Sequence, residues 1–245
     1  MPKSPIVRKN APCLLLWLLI FLYVIYFSAF SIQKHQSHQT YTRDLGNMDQ
    51  AIWNTLHGRF VEESRGEGTS TRLTDHVEPI FAPVSLIFWL WNDVRALLVL
   101  QSLALAIGAL PVFWLARERF EGSKVRRFEG SDWIGLAFAF AYLMFPALQA
   151  ANLTEFHAIP LAVPFILFAF WFAERGQWGR FAAACILLMA VKEEAALLAF
   201  MLGLYAIAKS KIQNPKSKIT HYALRITHLP RGVAAGGLVA MLAFA

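Results

Sequence analysis

Four long stretches of the chain carry no charged residue: Ala11 to Gln33, Ala96 to Ala116, Trp133 to Thr154 and Ala158 to Ala173. A helix that crosses a bilayer needs about 20 consecutive, mostly apolar residues. Strands would show strict alternation in short runs, and these runs are long and continuous. The pattern therefore predicts an all-α, polytopic helical membrane protein.

Lys3, Arg8 and Lys9 precede the first run. Its apolar stretch, Ala11 to Ile32, exceeds the roughly 7–15 residues of a signal-peptide core. It reads as an uncleaved signal-anchor helix. The segment Pro79 to Trp91, PIFAPVSLIFWLW, is as apolar but only 13 residues long. That length fits a re-entrant or interfacial piece better than a span.

Charge chooses the topology. If 79–91 does not span, the N-terminus carries three Lys/Arg, the 117–132 loop five, the 174–180 turn two and the 209–231 loop six, all on one side. That places 16 of the 23 basic residues in the cytoplasm, as the excess of Lys and Arg in cytoplasmic loops requires. The expected location is the cell membrane, multi-pass, with a cytoplasmic N-terminus. Residues 33–95 become a long extracytoplasmic loop carrying short helices. The stretch Phe181–Ala208 has Lys192, Glu193 and Glu194 at its centre, so it reads as a hairpin with a charged tip. The expected organisation is a membrane domain over 1–208, a basic linker or insertion over 209–231, and the start of a truncated further span over 232–245.

Composition supports this picture. The chain of 245 residues is 57% hydrophobic and only 16% charged, against about 25% charged in ordinary soluble domains. Cys13 and Cys185 lie inside apolar runs and read as small hydrophobes. The net charge of +7 is explained by cytoplasmic loops, and no aromatic–basic interleaving indicates nucleic acid. Asn152-Leu153-Thr154 matches a glycosylation sequon, but it abuts a span end and the match is incidental.

With this topology, ionisable residues at the span ends fall on the extracytoplasmic side. Asp44 and Asp49 follow the first span. Asp75, His76 and Glu78 precede the half-helix, Glu155 and His157 occupy a short turn, and Lys192, Glu193 and Glu194 form the tip. Charges at the membrane edge are costly and are functional candidates by default. Asp49, Trp53 and His57 share one helical face. At the tip, Lys192 neutralises one acid at most, and the spare carboxylate is expected to face His157 or Glu155 across a water-filled cavity. His76, His157 and the carboxylates are ligand types that suit a divalent cation, although no HExxH or paired-His spacing marks zinc.

The strings RDLGNMDQAIWNTLHGRF, DHVEPIFAPVSLIFWLW, VLQSLALAIGALPVFWLAR, NLTEFHAIPLAVPF and AVKEEAALLAFMLGLY resemble a family of predicted bacterial membrane proteins, the domain of unknown function family 2079. The resemblance covers residues 41–208. That family in turn resembles the GT-C glycosyltransferases, which use polyprenyl-phosphate sugars. Their early outer-loop acid is matched by Asp44, fourteen residues before Gly58. Their polar–Pro motif is matched loosely by Glu78-Pro79, and their late-core lysine by Lys192. The common Asp-Glu pair is not present, since Leu45 follows Asp44.

The resemblance implies an enzyme of a bacterial inner membrane that transfers sugar from a polyprenyl-phosphate donor. Asp44 or Asp49 would be the general base. Lys192, with His76 or His157, would meet the leaving phosphate. The half-helix 79–91 would wall a groove for the prenyl chain. Two other classes fit the same charges: an ion-coupled transporter and a non-catalytic membrane scaffold. Against a transporter, the sequence shows no inverted repeat and no matched pair of broken spans.

Overall fold

In a computed structural model, the backbone is described over residues 5–40, 42–65, 68–121 and 130–213. The expected linker beyond residue 213 and the expected further span at 232–245 lie outside the described residues. The chain forms two compact units. One comprises Met1–Arg72 with Phe81–Pro164, the other Leu73–Ile80 with Phe165–Ala245.

The first unit is built on α1, Pro5–Gln36. Its stretch Ala11–Gln36 is long and apolar enough to cross a membrane, as is Arg95–Glu121. The latter consists of α5, Arg95–Ile107, and α6, Ala109–Glu121. A third candidate is the pair α7, Ser131–Leu143, and α8, Pro146–Leu153, which bends by 46° between them. Proline explains the bend, because it donates no backbone hydrogen bond and disfavours a helical residue before it. Phe145 is extended, and Pro146 opens the new helix. The Gln149 amide donates to the Leu143 carbonyl at 3.1 Å, which satisfies an acceptor freed by the break.

Small residues let these helices approach closely. A Cβ on Gly135 would lie 2.8 Å from the Phe113 carbonyl oxygen, so α6 and α7 meet almost backbone to backbone. A Cβ on Gly108 would strike the Tyr142 hydroxyl, which donates to Leu105 O at 2.8 Å. Both contacts follow the small-residue logic of helix packing in lipid.

Between α1 and α5, the segment expected as a long loop carrying short helices also holds a β-hairpin. A π-helical turn, Thr42–Gly46, leads into α2, Asn47–Leu56. Then β1, Glu62–Arg65, pairs antiparallel with β2, Gly68–Thr71, in the register Glu62↔Thr71. Gln50 fastens the hairpin to α2 by accepting from Ser64 N at 2.9 Å and donating to Ser64 Oγ at 2.8 Å. Glu63 and Arg72, both buried, pair at 3.3 Å. The Arg72 guanidinium also lies over the Phe81 ring. Segment 79–91 becomes two short helices, α3, Phe81–Ser85, and α4, Ile87–Leu90.

α9, Ala162–Glu174, carries the chain into the second unit, which holds α10, Trp178–Met189, and α11, Ala195–Gln213. The helical stretch breaks over 190–194, and α10 packs on α11. The break falls at the charged triplet because a continuous helix would carry three charges through apolar surroundings. α11 continues to Gln213, five residues into the stretch read as linker.

Candidate functional site

The ends of the first unit's helices are stitched together by side chains. Lys34 Nζ donates to Leu153 O at 3.1 Å, and Ser31 Oγ to Asn152 O at 3.4 Å. The last turn of α1 therefore lies against the end of α8. Buried Asn152 accepts from Ser102 Oγ at 3.0 Å and reaches Tyr23 OH at 3.5 Å. Its side chain is structural, in keeping with an incidental sequon.

Gln101, on α5 and 1% exposed, organises the turn after α8. Its amide nitrogen donates to Ala151 O and Glu155 O at 3.1 and 3.2 Å. Its oxygen accepts from His157 N at 2.9 Å. Glu155 is held buried, and its Oε2 accepts from Leu45 N at 3.2 Å. The segment after α1 and the 155–157 turn thus meet. The His157 ring is turned back to its own turn, donating from Nδ1 to Glu155 O at 3.0 Å.

Beside this seam lies a pocket of about 810 Å³, lined by His35, Gln36, His38, Thr40, Leu45, Gly46, Asp49, Asp93, Val94 and Arg95. It sits where α1 ends and α5 begins. Asp49 projects into it from the first turn of α2. Burial, helped by the negative charge of Asp93, raises its carboxyl to about 6. Asp93 stays ionised, held below the ordinary carboxylate range first by its hydrogen bonds to Arg95. Arg95 Nε and Nη2 grip the two Asp93 oxygens at 2.8 and 2.7 Å. Asp44 lies on the exposed side of the π-helical turn and is not among the lining residues. Further along α2, Trp53 and His57 stack at 3.8 Å, confirming that the face predicted for this helix exists.

The second unit gathers other candidates. Lys192 Nζ pairs with Glu194 at 3.4 Å. That leaves Glu193 as the spare carboxylate, and segment 73–80 supplies its partners. His76 Nδ1 donates to Glu193 Oε1 at 2.9 Å and Val77 N to Oε2 at 2.8 Å. Ile80 N donates to Ala190 O at 2.7 Å, so the segment is fastened at two points. Burial alone would raise the Glu193 pKa, but the bonds from His76 and the backbone outweigh it and hold the carboxyl low. The bonds that Glu193 accepts therefore come from His76 and Val77. Asp75 is exposed on this segment and Glu78 is buried. Among the described residues, no three His, Cys, Asp or Glu side chains are grouped to hold a metal ion.

A family model described as "Predicted membrane protein (DUF2079)" matches residues 34–243. The chain belongs to this family. No curated protein and no solved structure matches it. The DUF2079 match contains every candidate residue from Asp44 to Glu194 and runs past the expected boundary at 208.

Sequence reasoning missed four members of these clusters. Gln101 sits inside an apolar run, and an amide at such depth was itself a signal. Asp93, Arg95 and His35 carried no role in the sequence reading, yet all three line the DUF2079 chain's pocket beside Asp49.

Proposed function

We propose that this membrane protein transfers a sugar from a polyprenyl-phosphate donor on the extracytoplasmic face, with the N-terminus in the cytoplasm and the helices crossing the membrane several times. The observation that carries the reading is the placement of Asp49. Its carboxyl, raised to about 6, lines a polar pocket at the head of two span-length helices. A general base works best with a pKa near the working pH. Asp49 would take the proton of an acceptor hydroxyl as that oxygen bonds to the anomeric carbon. The bond from that carbon to the donor phosphate breaks, and the lipid phosphate leaves with the electron pair. His35 and His38 line the same pocket and would meet the leaving charge. Lys192, the expected partner of the phosphate, pairs with Glu194 at 3.4 Å.

The reading is tested with purified protein in vesicles, a polyprenyl-phosphate hexose labelled in the sugar, and membrane extract as acceptor. Wild type should transfer label and Asp49→Asn should not, with unfolding temperature unchanged or raised. Equal transfer by both would remove Asp49 from the chemistry, and absence of transfer by wild type would overturn the reading. A carrier is the second reading, favoured by the 46° break between α7 and α8, since transporters place broken helices at their binding sites. It predicts counterflow of a labelled solute without any new covalent bond.

A further inference from the structure

The segment between α3 and α5 has no charge from Pro79 to Asn92, yet much of it faces outward. Its base is anchored. Phe81 is buried, with its ring 6.5 Å from that of Phe156, and Phe88, in α4, is buried as well. Beyond that base project Leu86, Trp89, Leu90 and Trp91. Trp89 is 74% exposed and Leu90 88%, the two largest exposures of any large apolar side chain among the described residues. Large apolar surface is not left in water without a use.

A polar collar sits directly behind this tip. Trp91 lies 5.4 Å beneath the Arg95 guanidinium, and Arg95 is gripped by Asp93. Arg95 is also the first residue of the span-length helix Arg95–Glu121. The order along the chain is therefore an apolar tip rich in Trp, an ion pair, then a span. Tryptophan collects at the membrane–water boundary because its ring is apolar and its N–H is polar. The tip thus directly precedes a helix of span length in a chain of a predicted membrane-protein family.

We infer that the Leu86–Trp91 tip is inserted into the bilayer leaflet at the head of α5, as a membrane anchor for the first outer loop. The occupant of this apolar surface is lipid. The collar then lies at headgroup depth, and so does the pocket wall that Asp93 and Arg95 form. A ligand reaching that wall from the side arrives from the membrane. The anchor stands whether or not the protein transfers a sugar.

The test is depth measurement by spin labelling. Single cysteines are introduced at Leu90 and, separately, at Leu86, in a Cys13→Ser, Cys185→Ala background. The protein is reconstituted into vesicles of phosphatidylethanolamine and phosphatidylglycerol. Phe21→Cys on the exposed face of α1 serves as the bilayer reference, and Thr69→Cys on the exposed β2 as the water reference. Labels at 90 and 86 should be open to oxygen and several-fold protected from a soluble nickel chelate, like the label at 21. Chelate access at both positions equal to that at 69 would place the tip in water and overturn the anchor. Protection from oxygen and chelate together would overturn it differently, by showing a protein partner or second copy on the tip. Two independent positions guard against one variant that fails to fold.

Discussion

Glu193 receives the His76 ring on one carboxylate oxygen, at 2.9 Å, and the neighbouring Val77 amide on the other. This single side chain ties an extended segment to the turn of a helical hairpin. Its neighbour Glu194 takes Lys192 instead. Both acids lie in the turn between α10 and α11, and they serve different partners although they are adjacent in sequence.

The first prediction is unequal cost. Glu193→Gln should free the 73–80 segment, while Glu194→Gln should be nearly silent. Hydrogen exchange at the Val77 amide should speed up several-fold in the first variant and not in the second. His76 and Glu193 are both more than a third exposed, so the global stability loss should stay near ~0–1 kcal/mol. Equal exchange in both variants would dissolve the distinction.

The same pair sets a pH dependence. Glu193 in the folded protein lies below its ordinary carboxyl value. Its contribution is therefore full above the unfolded pKa, roughly 4.3, and is lost as pH falls through the lower folded value. Val77 protection should persist from neutral pH down to that range and then collapse. In Glu193→Gln the acid-dependent step should vanish.

Asp49 has the opposite sign. Its folded value, about 6, lies above the ordinary one. Folding then favours the protonated acid, and stability falls as pH rises from about 4 to about 6. Asp49→Asn should remove that slope and gain about 1–3 kcal/mol at neutral pH. Its unfolding temperature in detergent, followed against pH, would show this. In the wild type, sugar transfer should rise as pH passes through about 6.

Gln101 should behave as a positioning residue. Gln101→Leu keeps the volume but removes three hydrogen bonds to the 151–157 turn. At about 0.5–1.5 kcal/mol each, the loss should be ~2–4 kcal/mol in detergent unfolding. Gln101→Glu keeps an acceptor for His157 N but loses the amide donor, and should fall between. A neutral Gln101→Leu would mean the turn holds itself.

Close packing gives a sharper comparison. Gly135→Ala would set a methyl against the Phe113 backbone oxygen, which cannot move alone. Gly108→Ala meets the far end of Tyr142, a side chain able to rotate away at the cost of its bond to Leu105. Both should destabilise, by about 1–3 kcal/mol, with Gly135→Ala the worse by thermal unfolding. The opposite order would show that the hydroxyl bond matters more than helix approach.

Orientation is open to direct labelling. Thr69→Cys should react with an impermeant thiol reagent added to intact cells, and Arg119→Cys only after permeabilisation. Reaction of position 119 from outside would reverse the charge-based topology.

Sequence by itself determined the long apolar helices and the break at the charged triplet. Uncharged runs of span length, a triplet of charges that no apolar helix carries through its middle, and the spacing of Asp49, Trp53 and His57 all act locally. Their consequences need no knowledge of distant contacts. Tertiary structure alone decided which acids matter and how. Asp49 and Asp93 are 44 residues apart in sequence, yet they share one pocket, and the shared burial changes what Asp49 can do. Glu193 and Glu194 are indistinguishable in composition and hydropathy, and only the segment carrying His76, packed more than a hundred residues away in sequence, tells them apart. The hairpin at 62–71 was hidden for the same reason. Its strands are short and polar, and it is held by Gln50 and the buried Glu63–Arg72 pair rather than by an alternating apolar face. Protonation, pairing and burial depend on what folding brings near, and that information is non-local.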